Sequence, residues 1–152
     1  MLLKSLRKAF KIDPEDKIII ITIFDALYNL LDSKNSNTAY LPYILRSIGL
    51  AHPELLQRMG INSNEFLELE DNDRRRDIES KLKSLVDPII NYLERKEVIN
   101  IKNGYGIERL VLYERQTLEK LQYQKDSFVR SGYYNTFKKA YNSICNPTQE
   151  RP

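Results

Sequence analysis

Residues 77–113, DIESKLKSLVDPIINYLERKEVINIKNGYGIERLVLY, constrain the fold more than any other stretch of the chain. Ile78, Leu82, Leu85, Val86, Ile89 and Leu93 recur at steps of three and four, which places one apolar stripe along an α-helix. Directly afterwards, Val98–Lys102 and Gly106–Tyr113 are rich in β-branched, apolar and aromatic residues. They flank Asn103-Gly104, the dipeptide that best tolerates the positive φ of a hairpin turn. The spacing predicts a helix over 77–97 that runs straight into a β-hairpin. Asp87-Pro88 lies inside that helix, either as the cap and first position of a second segment or as a kink that removes the hydrogen bond to Ser84. The apolar spacing continues through it, which favours a kink or break.

Upstream, Asp13-Pro14-Glu15-Asp16 is a helix start: a capping acid, proline at the first helical position, then acids at the positive end of the helix dipole. The helix is expected to reach about Leu31 and to bury Ile20, Ile23, Phe24, Leu27, Leu30 and Leu31. Its isoleucine run, 18–21, is apolar all round and reads either as the centre of the core or as a strand. A polar loop follows at 33–37. A second helix is expected at 38–48, with Tyr40, Leu41, Ile44, Leu45 and Ile48 inward, Pro42 in the first turn and Gly49 as C-cap. Pro53–Met59 and Asn64–Leu69 read as two short helices about a Gly60 turn. The second of these and its exit carry Glu65, Glu68, Glu70, Asp71 and Asp73, five carboxylates that would repel phosphates, so it reads as a connector or a protein-facing surface.

Three upstream helices, the long helix 77–97 and the Asn103-Gly104 hairpin together resemble the winged-helix superfamily at the level of architecture, over about residues 14–113. The resemblance implies a compact DNA-binding or protein-docking module, often dimeric through flanking helices. Two features depart from that pattern: the connection between the second and last core helices is long and acidic, and the recognition-helix position contains Pro88. The expected fold is mainly α with one β-hairpin, a winged-helix domain (13–113) with flanking N- and C-terminal helices. An amphipathic arm (1–12) precedes it, and a helical extension (114–145) and a frayed tail (146–152) follow. In the arm, Leu2, Leu3, Leu6 and Phe10 oppose Lys4, Arg7, Lys8 and Lys11. It reads as a first helix that closes over the domain, or as an arm for a partner, a phosphate backbone or an anionic membrane.

Catalytic and metal chemistry find no support in the residue pattern. The single histidine, His52, sits in a loop-like Ala-His-Pro context, and the single cysteine, Cys145, excludes an internal disulfide and suits a reducing compartment. There is no Cys/His metal spacing, Gly-rich phosphate loop or Gly-x-Ser-x-Gly elbow, and the acidic run 65–73 lacks the acid spacing and glycine of an EF-hand. The longest apolar run, Ile18–Phe24, is too short to span a bilayer, and no secretory leader is evident. The expectation is a non-enzymatic cytoplasmic protein with no cofactor, no metal, no membrane association and no small-molecule substrate.

Charge is uneven: +4 over 1–12, −7 over 13–73, +3 over 74–113 and +3 over 114–152. Arg74, Arg75, Arg76, Lys81 and Lys83 on the central helix, with Lys102 and Arg109 on the hairpin, occupy the two places where a winged helix meets phosphate. Tyr105 at the hairpin tip is placed to reach a groove or a phosphate. Asp77, Glu79, Asp87, Glu94, Glu97 and Glu108 are interleaved with these cations, the pattern of a solvated helix face with i,i+4 pairs. Aromatic and basic residues alternate from Phe128 to Tyr141, which on paper makes a single-strand-binding surface. At helical spacing Tyr134, Phe137 and Tyr141 fall on one face, to be buried against the domain or a second copy.

The leading expectation is a small DNA-binding protein, a transcription regulator that binds double-stranded DNA. It would form a homodimer through Leu118, Leu121, Phe128, Tyr134, Phe137 and Tyr141 of its C-terminal helices. The alternative is a winged-helix adaptor subunit that grips a protein partner through the acidic front, the arm or the aromatic tail. One continuous cationic strip from central helix to hairpin favours DNA, whereas scattered cations beside an exposed Tyr/Leu patch favour the adaptor.

Overall fold

The computed structural model describes residues 14–32, 38–70, 73–104, 107–112 and 117–145. The chain is mainly helical, with a small three-stranded antiparallel sheet. In order, its elements are α1 (Pro14–Leu31), β1 (Thr38–Tyr40), α2 (Leu41–Ala51), α3 (Pro53–Arg58), α4 (Ser63–Glu68) and α5 (Asp73–Arg95). Then follow β2 (Ile99–Gly104), β3 (Ile107–Leu112), α6 (Thr117–Val129) and α7 (Gly132–Cys145). The strand order is β1-β3-β2, so the last strand of the chain is the middle strand of the sheet.

The expected stripes are the ones that bury. Ile20, Ile23, Phe24, Leu27 and Leu31 of α1 are all in the core, with Leu30 only partly covered. The isoleucine run is helical, and Ile18 on its outer side is 55% exposed. All six expected stripe residues of α5 are buried, joined by Pro88, Ile90 and Tyr92. Helix α5 starts at Asp73, four residues before the expected Asp77, and of the expected kink or break at Pro88 there is no break: the helix continues through it.

Four local expectations are corrected. Residues 38–40 are a strand, not the first turn of a helix: Thr38, Ala39 and Tyr40 pair with Val111, Leu110 and Arg109. A helix begun at Thr38 would need an N–H from Pro42 for the Thr38 carbonyl, and proline has none to give. Tyr40, expected inward, is 41% exposed and caps α2 from extended geometry. Gly49 does not cap α2 but lies buried within it, and the helix ends at Ala51, just ahead of Pro53. Asn103 and Gly104 are not the hairpin turn; they pair with Glu108 and Ile107, which leaves Tyr105-Gly106, outside the described residues, as the connection.

The two short helices and their turn form as expected. Gly60 adopts φ +80°, and Asn62 caps α4 by accepting from the Glu65 N–H at 2.8 Å while donating to the Glu65 carboxylate at 2.7 Å. Helix α5 ends with Glu97 at φ 59°, where the Val98 N–H reaches back to the Leu93 carbonyl at 3.0 Å. This is the left-handed cap that glycine usually provides.

A single buried cluster runs from Ile19 in α1 to Ile144 in α7. Phe128 of α6 joins its parts: its ring lies edge-on to Phe24 of α1, Tyr92 of α5, and Tyr134 and Phe137 of α7, with centroids 5.5–6.4 Å apart. Helices α6 and α7 therefore complete the core over α1 and α5.

Candidate functional site

The five α5 cations expected to meet phosphate each lie beside a carboxylate. The Arg74 guanidinium meets Glu65 at 3.3 Å and donates to the Gly60 carbonyl at 3.1 Å. Arg75 pairs with Glu79 at 2.8 Å, Arg76 lies 3.9 Å from Asp73, Lys81 pairs with Asp77 at 3.1 Å and Lys83 with Asp87 at 3.0 Å. Each of these exposed pairs contributes at most about 1 kcal/mol to stability, but together they cancel most of the local positive field.

The hairpin adds cations elsewhere. Its root lies against the C-terminal end of α5, where the Glu94 carboxylate accepts from the Ile101 N–H at 3.1 Å. Arg74 to Arg76 are eighteen to twenty residues earlier on that helix, roughly 30 Å away along its axis. Lys102 is exposed and directly opposite Arg109 in the β2–β3 ladder. Tyr105 lies outside the described residues, and the Arg109 side chain outside the described side chains.

The residues expected to face a second copy do not form an outer surface. Leu121, Phe128 and Phe137 are fully buried, Tyr141 is 6% exposed, and Leu118 and Tyr134 are partly covered against the same cluster. The apolar stripes of α6 and α7 pack inside this chain, which for Tyr134, Phe137 and Tyr141 is the expected burial against the domain. The aromatic and basic alternation is likewise a core edge rather than a base-stacking platform.

Part of that edge is a polar junction between α1, α3 and α7. Asp16 is completely buried; one carboxylate oxygen accepts from Lys138 Nζ at 2.7 Å and Tyr134 Oη at 2.8 Å. Beside it, Glu15 accepts from Tyr141 Oη at 2.9 Å and pairs with Arg58 at 3.3 Å, and Arg58 donates to Cys145 Sγ at 2.8 Å. Burial, then hydrogen bonding to Cys145 and Glu15, pushes the Tyr141 phenol well above its ordinary value. His52 is not a merely solvated loop residue: its Nδ1 accepts from the Leu55 N–H at 3.2 Å and caps α3. Among the described residues no three His, Cys, Asp or Glu side chains group to hold a metal ion, and no helix is long and apolar enough to cross a membrane.

The surface that sequence reasoning missed lies between α2, α4 and α5. Pro42, Tyr43, Arg46, Phe66, Leu67, Leu69, Arg75 and Glu79 line an open groove of about 270 Å³. Tyr43 is 60% and Leu67 46% exposed, and Tyr40 stands edge-on to Tyr43 with centroids 6.4 Å apart. Tyr43 lies off the buried stripe of α2, the one signal that marks this surface in the sequence. No protein-family model, curated protein or solved structure matches the chain.

Proposed function

We propose that this chain is a winged-helix protein and that its principal work is to dock other proteins. The winged-helix reading is supported by element order: a helix, β1, further helices, the long α5, then β2 and β3, with β3 seated between its two partners. The docking reading is carried by one observation. The five cations expected to meet phosphate on α5 each have a carboxylate beside them, and Arg74 to Arg76 lie at the far end of the helix from the hairpin root. An exposed Tyr/Leu patch, meanwhile, stands next to the first turns of that helix.

Duplex DNA is the second reading, favoured by Lys102 and Arg109. The two basic residues stand opposite each other in the β2–β3 register, away from the paired cations of α5, and added positive charge favours phosphate. Titration of the purified protein with random duplex DNA at several salt concentrations separates the two. Docking predicts no binding that weakens with salt, and no change in the Arg75→Glu, Lys83→Glu double variant. Affinity that falls steeply with salt and disappears in that variant would move the assignment to DNA.

A further inference from the structure

We propose that the groove between α2, α4 and α5 receives a short segment of a partner protein that sets one large apolar side chain beside one carboxylate. The proposal rests on the docking reading above. Phe66 lines the groove, and its ring can lie against α2 only because residue 49 is glycine. A Cβ there would stand 2.7 Å from Phe66 Cε2 and 2.9 Å from Cζ. Pro42 and Tyr43 from the first turn of α2 and Leu67 and Leu69 from the end of α4 line the groove as well. The space, about 270 Å³, suits one or two large side chains rather than a whole small-molecule ligand.

The rim supplies the polar half of the recognition. Arg75 is already engaged by Glu79 at 2.8 Å, whereas Arg46 is exposed and has no carboxylate partner among the described residues. A planar guanidinium beside an apolar slot selects a carboxylate on the incoming segment, which it can hold through two parallel hydrogen bonds. A polyanion fits less well, because Glu65, Glu68 and Glu70 are exposed on and just after α4. The geometry therefore points to a single acid next to an aromatic or large aliphatic residue, not to an acidic run or a nucleic acid.

The test is selection of a random peptide library displayed on phage against the whole chain, followed by affinity measurements with the consensus peptide. The expected consensus places a large apolar residue next to Asp or Glu. Tyr43→Ala and Leu67→Ser should each weaken the peptide about tenfold or more, as removal of a central apolar contact does. Arg46→Glu should reverse the charge preference, so that it favours the peptide with Lys in place of the acid. All three residues are exposed, and unchanged circular dichroism and melting show that each variant folds. Failure to enrich any peptide, a consensus without the acid, or indifference to Arg46→Glu overturns the groove assignment. Peptides that bind equally well to all three variants overturn the groove alone and leave the docking reading standing. Absence of peptides together with salt-sensitive duplex binding removes both.

Discussion

Asp16 sits in the first turn of α1, where sequence alone gives it the ordinary task of an acid near the positive end of a helix. Its burial changes that task. With no exposed surface, the carboxylate depends on Lys138 and Tyr134, more than a hundred residues away, and its second oxygen has no partner among the described residues. Removing one member of such a pair strands a charge out of water. Lys138→Met is expected to destabilise the chain by about 2 kcal/mol, below the range for fully buried pairs because Lys138 remains 32% exposed. Asp16→Asn in the same background should restore part of the loss. Urea unfolding reads both; a single variant that unfolds like the parent would show that the ion pair does not support the fold. The junction was not legible in advance, because it exists only once α7 packs across the start of α1.

At the scale of the element, α5 shows how far periodicity reaches. All six residues of its apolar stripe are buried, and the helix persists through Pro88, which is itself buried. Leu85 is fully buried in this face, and Leu85→Asp would place an uncompensated carboxylate there. The expected outcome is loss of the cooperative thermal transition, and a variant with a normal melting curve would show that the helix is rotated from the position described. Periodicity failed at β1 and Gly49. Three residues are too few to show a period of two, so only pairing with β3 makes 38–40 a strand. A glycine near a helix end signals a cap equally well as a close approach, and the Phe66 ring decides for the second.

For the whole molecule, the issue is where the domain ends. A boundary after the hairpin leaves a unit of 13–113, yet Leu121, Phe128, Phe137, Tyr141 and Ile144 belong to the same buried cluster as α1 and α5. A chain truncated after residue 113 would lose Phe128 from among Phe24 and Tyr92 and would expose the face of α5 that α7 covers. It is expected to keep helical signal in the far ultraviolet, lose its near-ultraviolet aromatic signal and unfold without cooperativity, the behaviour of a chain with collapse but no fixed packing. Cooperative unfolding of the truncated chain would instead show that the last two helices are an appendage.

The helices, their inward faces and the hairpin were determined by the sequence itself, because apolar spacing, capping residues and proline act within a few residues of where they stand. Only the tertiary structure decided that β1 completes the sheet, that the C-terminal aromatics fill this chain's own core, and that Tyr43, Arg46, Phe66 and Leu67 meet in one groove. Each of those outcomes depends on a partner distant in sequence or on which of several faces a neighbour covers. Such juxtapositions follow from how the elements pack, and no local pattern of residue types carries them.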